Sequence, residues 1–279
     1  MILSPKNSES LTLIGLDSSE SDKEVWVRAA IVGSTQPKLI NNSKSAIGGV
    51  AIASFIIALW TGSFIFLLGI EIYNPLIIIL GIGWQTFLYT GLFITAHDAI
   101  HESIDPQHHQ VNYFFGSLAL LLYGFFSYDE LLKTHRQHHH HPATDKDPDF
   151  HDGKHKNAVA WYLYFMQGYW SWWRLIALII TYGILYNFLH IHHVNLMIFW
   201  AVPLLLSSIQ LFYFGTFLPH REPVEGYSDS SHTRSIYLPF LWSFLTCYHF
   251  GYHQEHHKYP NIPWWKLPAI AKVAMQQTF

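Results

Sequence analysis

The chain has 279 residues, of which 50% are hydrophobic and 13% charged, with a net charge of −3. An ordinary soluble domain carries about a quarter charged residues, so water is not the main solvent of this chain, and the near-neutral balance argues against a nucleic-acid partner or a polybasic anchor. A single cysteine, Cys247, excludes an internal disulfide framework and a cysteine-based zinc module, which leaves 20 histidines and the carboxylates to bind any metal.

The N-terminal stretch MILSPKNSESLTLIGLDSSESDKE has neither an apolar core behind a basic start nor a small-residue cleavage site. No signal peptide is expected, and residues 1–44 read as a polar, flexible tail. Residues 46–70 are apolar over the roughly 20 positions that a bilayer core requires. After EIYN, a second apolar stretch over 75–96 runs straight into HDAIH. A third, over about 172–189, and a fourth, over about 196–218, flank the short turn HIHHVN. These stretches predict four transmembrane helices in two hairpins. Residues 113–128 and 236–249 are apolar but too short to cross, and read as re-entrant or interfacial helices. EIYN and HIHHVN hold no Lys or Arg, so the positive-inside rule places both termini on the cytoplasmic face. The expected architecture is an all-α integral membrane protein, with residues 45–279 forming one domain under a cytoplasmic, histidine-rich cap.

The histidines are patterned. In HDAIH, His97 and His101 are four apart at the end of the second span, and positions i and i+4 share a helix face. THRQHHHHP sets His135, His138 and His139 at i, i+3 and i+4, and HQEHH repeats that spacing with His253, His256 and His257. On a helix, each trio is expected to converge on one shared point. Eight imidazoles in three boxes exceed what one ion accepts, so two metals are the economical reading. His220, in FLPHRE where the fourth span leaves the bilayer, is the candidate to complete the set. His249 competes for that role or orients a ligand. Asp98 and Glu255 sit inside boxes and are expected to accept the second N–H of a ligand histidine. Asp147 and Glu102 read as solvated loop charge, and the other histidines as ordinary loop and turn residues.

Taken alone, HDAIH is a short pattern with many chance occurrences, and HRQHHHH resembles a low-complexity tract. Three boxes at span ends outweigh both readings. Imidazole suits zinc, copper, iron and nickel alike. The H-E-x-x-H of a zinc hydrolase is absent, and a transporter would carry ionisable residues at span centres, where these spans have essentially none. A redox centre at the membrane surface, taking a lipid-soluble substrate from the bilayer and electrons from a soluble donor, is the plan of a hydroxylase or desaturase.

The strings HDAIHESI, FSYDELLKTHRQHHHHPATDKDPDFH, FLPHRE and LTCYHFGYHQEHHKYPNIPWWKLP resemble the membrane fatty-acid desaturase and hydroxylase superfamily. Within it they look most like the bacterial and cyanobacterial β-carotene ketolases, and the resemblance runs from about residue 46 onward. It implies a non-haem di-iron centre held by the eight box histidines, with His220 matching the family's extra histidine. It also implies O2 as co-substrate and an external electron donor such as ferredoxin or a reductase. The implied reaction puts a keto group at C4 of a carotenoid β-ionone ring (β-carotene to echinenone and canthaxanthin) by two successive O2-dependent hydroxylations and loss of water. Where related desaturases carry an asparagine close to iron, this chain has Thr216. A hydrocarbon substrate offers almost no hydrogen bonds, so it calls for a long apolar tunnel with aromatic walls. Trp84, Phe87, Tyr89, Phe93, Phe114, Phe125, Tyr169 and Phe212 are its candidate lining. A carotenoid ring hydroxylase and an acyl-lipid desaturase would use the same site and are the alternatives.

Overall fold

The computed structural model describes residues 42–71, 74–227 and 231–277, and every regular element among them is helical. The tail expected over 1–44 lies outside these residues except for its last three, which already belong to the first helix. α1 (Asn42–Gly69) and α2 (Pro75–Ile100) form a hairpin. Asn74 caps α2 by accepting the Leu76 N–H at 2.9 Å, and Pro75 takes the first helical position, where no N–H is needed.

α3 (His109–Gly124) ends at Phe125, whose left-handed backbone (φ 59°) turns the chain into α4 (Tyr128–His140), and the two axes bend by 100°. Both ends of this pair lie level with the first histidine box. His109, at the start of α3, is 3.0 Å from the Glu102 carboxylate, and His135, near the end of α4, is 2.8 Å from His101. The pair therefore leaves that level and returns to it. Gly116 makes the return possible, because a side chain there would overlap the Tyr128 ring and Ala99. The Tyr128 hydroxyl then donates to the Ala99 carbonyl at 3.0 Å, tying α4 to the last turn of α2.

α5 (Ala158–Gly168), α6 (Trp172–Asn187) and the long α7 (His193–His220) follow, and then the short α8 (Phe240–Cys247), α9 (His253–Lys258) and α10 (Leu267–Gln277). Two stretches of α7, Met197–Ala201 and Phe212–Phe217, are wound as π-helix. Pro203 and Pro219 lie just beyond them, and each lacks the N–H that would close the preceding α-turn.

Residues Ala46–Gly69 of α1, together with α2 and α7, are long and apolar enough to cross a membrane. The third expected span is shorter than the sequence suggests: α6 has 16 residues, about 24 Å of helix against a hydrocarbon core of about 30 Å. None of its residues is buried. Phe55, Phe66, Ile79, Leu80, Ile179 and Ile180 point outward from α1, α2 and α6, as lipid-facing positions do. Asn195, at the start of α7, donates to the Leu67, Leu68 and Ile70 carbonyls at 3.3, 3.1 and 2.7 Å, satisfying the C-terminal end of α1. The end of α1 and the start of α7 thus share one end of the bundle. His97, His101 and His220 lie at the other.

Candidate metal centre

Nine histidines converge there in two groups. His97, His101, His135, His139 and His256 form the first, and His138, His220, His253 and His257 the second. Every meeting atom is an Nε2. In the first group His97 and His256 approach to 3.1 Å, His101 and His135 to 2.8 Å, His135 and His139 to 3.1 Å, and His139 and His256 to 3.0 Å. In the second, His138 and His257 are 3.2 Å apart, His220 and His253 2.9 Å, and His253 and His257 3.1 Å.

The expectation that each H-x-x-H-H trio shares one point is wrong. In α4, His135 and His139 serve the first group while His138 serves the second; in α9, His253 and His257 serve the second while His256 serves the first. Consecutive helical residues are about 100° apart, so the doublets His138–His139 and His256–His257 must splay. Each helix lies between the two groups and feeds both.

Hydrogen bonding does not account for these contacts. A neutral imidazole Nε2 either donates one proton or accepts one, yet His139 Nε2 faces both His135 and His256, and His257 Nε2 faces both His138 and His253. Lone pairs aimed at a common point call for a cation. A first-row ion sits about 2.1 Å from an imidazole nitrogen, so ligands at right angles lie about 3 Å apart, the spacing of an octahedral edge. Five donors and four donors fit two such ions with positions left open. Burial, then mutual repulsion, holds His253, His256 and His257 well below the ordinary histidine range, so these imidazoles are neutral with their lone pairs free.

His138 is the exception. Burial alone would lower it, but the Asp147 carboxylate outweighs that and raises it. Its Nδ1 donates to both Asp147 oxygens at 3.0 Å, and Asp147 also accepts the Ala143 and Asp149 N–H groups at 2.8 and 2.9 Å. Asp147 is buried rather than a solvated loop charge. The loop it closes turns its side chain inward, which the string DKDPDFH does not reveal. His220 is oriented in the same manner, with Nδ1 donating to the His232 carbonyl at 3.2 Å, while His232 Nδ1 donates to the Pro142 carbonyl at 3.0 Å.

The carboxylates inside the boxes are used differently from expectation. Asp98 accepts the Trp264 N–H at 3.2 Å, and its nearer oxygen lies 3.6 Å from His97 Nδ1, beyond hydrogen-bond reach. Glu255 takes the Tyr237 hydroxyl at 2.9 Å and the Ser235 hydroxyl, holding a loop rather than a ligand. His249 belongs to neither group. Its ring packs on Phe240, 4.6 Å between centroids, and its Nδ1 is 3.0 Å from Ser243 Oγ.

A cavity of about 50 Å³ reaches both groups, touching His97 and His135 of the first and His138 and His253 of the second. Phe93, Tyr169 and Phe212 line it, with Ile100, Leu131, Phe165, Leu211, Gly215, Thr216, Phe250 and Asp149. The other five aromatic candidates lie elsewhere. Trp84 borders an outer groove of about 390 Å³ with Leu59 and Phe66. Phe87 stacks on Tyr248, Tyr89 is wedged between Trp60 and Tyr123, Phe114 is exposed, and Phe125 forms the α3 cap. Gly215 is required where it stands, since a Cβ would come within 2.7 Å of the Phe250 ring. Asp149, whose carboxyl burial pushes up to about 6, receives the Tyr169 hydroxyl at 2.6 Å.

The model of the family described as "Fatty acid desaturase" matches residues 72–172 and 164–278. The chain belongs to the fatty acid desaturase family. A "Beta-carotene ketolase" of Paracoccus sp. (strain PC1) is 42% identical to this desaturase-family chain over 203 residues, 71% of the chain and 81% of that protein. A "Beta-carotene ketolase" of Haematococcus lacustris is 42% identical over 195 residues, 67% of this chain and 60% of that one. A "Zeaxanthin 4-ketolase" of Chlamydomonas reinhardtii is 36% identical over 247 residues, 83% of this chain and 55% of that one.

Proposed function

We propose that this chain is a carotenoid 4-ketolase of the membrane, acting on C4 of β-ionone rings. The observation that carries the reading is a pair of imidazole clusters opening onto one aromatic-walled cavity, in a desaturase-family chain similar to ketolases. His97, His101, His135, His139 and His256 would hold one iron, and His138, His220, His253 and His257 the other. When bound, the iron pair supplies O2-activating redox chemistry, with electrons from an external donor such as ferredoxin or a reductase.

The chain's own part is to place one carbon and keep water away. C4 is allylic, so its C–H bond is weak and the reaction is governed by which carbon faces the centre. Phe93, Phe165, Phe212 and Phe250 offer an apolar, aromatic wall to a ring without polar groups. The free space holds a few waters at most, so ring entry requires some of these side chains to swing aside. Two hydroxylations at the same carbon give a geminal diol, which loses water to leave the ketone.

Four membrane crossings, with the centre and both termini on the cytoplasmic face and residues 45–279 as one domain, complete the proposal. α2 and α7 both reach the centre with their C-terminal ends. The chain must therefore return to the far end between them, and α6 is the described helix placed to do so. Local thinning of the bilayer accommodates its short length. The test of function is expression in cells that accumulate β-carotene, followed by pigment analysis. Keto carotenoids are expected; unchanged β-carotene, or hydroxylated rings without ketones, would reject the assignment.

A further inference from the structure

Two polar atoms of residues in the cavity wall lack a hydrogen-bond partner among the described residues. Asp149 Oδ1 receives the Tyr169 hydroxyl, but Oδ2 lies 4.0 Å from His138 Nδ1 and meets no hydrogen-bond donor among the described residues. The Thr216 hydroxyl, on the second π-helical stretch of α7, likewise has no hydrogen-bond partner among the described residues. The two residues are only 8% and 9% exposed. Both residues line the cavity, so a polar atom left without a protein partner there is completed by what fills the cavity, a ligand or an ordered water.

A hydrocarbon ring offers such atoms nothing. The product of a first oxidation does, because it carries a hydroxyl on the reacting carbon. Resting on the ketolase reading, we propose that Asp149 and Thr216 form an alcohol-binding pair that retains the 4-hydroxy intermediate for its second oxidation. Asp149 Oδ2 accepts from the intermediate's hydroxyl, and the Thr216 hydroxyl donates to the same oxygen. Asp149 is held for this task on three sides: its backbone N–H donates to Asp147, its carbonyl accepts the Trp161 indole N–H at 2.9 Å, and Tyr169 occupies the other carboxylate oxygen. Tyr169 is a positioning residue, since it acts by aiming the carboxylate. With the alcohol oxygen tethered, the remaining hydrogen on C4 stays directed at the centre. An enzyme that binds only by apolar contact would release the alcohol as readily as the hydrocarbon, whereas a site built to hydrogen-bond a hydroxyl discriminates strongly for it.

The test compares the full chain with Thr216→Val, Thr216→Ser and Tyr169→Phe in cells accumulating β-carotene. The readout is the ratio of 4-hydroxy to 4-keto product, which does not depend on total turnover. Thr216→Val and Tyr169→Phe are expected to raise that ratio roughly tenfold, the effect of losing one hydrogen bond to a buried group, and Thr216→Ser to restore it. A second measurement covers variants that turn over too little: binding of a 4-hydroxy carotenoid and of β-carotene to the purified full chain. Wild type is expected to prefer the alcohol and Thr216→Val to lose that preference. Ketone formation by wild type with an unchanged ratio in both variants, or equal binding of alcohol and hydrocarbon by wild type, overturns the proposal. Failure of wild type to form any ketone would instead overturn the ketolase reading.

Discussion

At the scale of single residues, the centre is built by splitting neighbours. His138 and His139 are adjacent in α4 and His256 and His257 adjacent in α9, yet each doublet divides between the two groups. A consequence follows for metal content. Replacing His139 by alanine removes a donor from the five-membered group, and replacing His138 removes one from the four-membered group. The His138 change also leaves the buried Asp147 carboxylate with only the Ala143 and Asp149 N–H groups to balance its charge. Purified His138→Ala is expected to hold about one equivalent of iron where the parent holds about two, and His139→Ala to lose less, because four imidazoles remain. Equal iron content in all three proteins would remove these side chains from the metal's ligands. Asp147→Asn keeps the size of the side chain but loses its charge, and 10- to 100-fold weaker metal retention is expected, in line with other partners of ligand histidines. Iron analysis after dialysis against a chelator reads it directly.

At the scale of elements, what could be read from the primary structure depended on whether a residue's surroundings come from its own helix. The boxes are legible because i, i+3 and i+4 spacing is local, and α1, α2 and α7 because bilayer length is a local property. Which group each imidazole joins was not legible, since that depends on how α4 and α9 cross α2. Asp147 reads as solvated from sequence because nothing local to its loop shows that the loop folds over His138. The aromatic wall is only half legible because α2 is apolar all round, so its sequence does not say which face meets the centre: Trp84 and Phe93 are nine residues apart, about half a turn out of phase. Asn195 was likewise silent, although it satisfies three carbonyls at the end of α1. Asn195→Ala leaves those carbonyls buried without a donor and is expected to cost about 1–3 kcal/mol. Thermal unfolding in detergent should show a lowered midpoint with iron content at parental level; an unchanged midpoint would mean that water takes over the contact.

At the scale of the molecule, the proposed crossings predict a two-sided pattern of labelling. Cys247 is the lone cysteine and is buried, so a cysteine introduced at Asn74 or at His192 should react with an impermeant thiol reagent only from the far face. One introduced at Lys154 should react only from the cytoplasmic face. Labelling of Asn74 and Lys154 positions from the same side would reject the arrangement.

The first group joins His97 to a residue 159 positions later in the chain, and the second joins His138 to one 119 positions later. Ions there would clasp together segments that the backbone alone leaves far apart, closing loops whose entropic cost grows only as the logarithm of their length. Neither group is complete until α9 supplies His253, His256 and His257, so the full donor set exists only after the last helices have been synthesised. A chain cut short before α9 would keep four imidazoles of the first group but only His138 and His220 of the second, and so would lose the clasp between α4 and α7 first.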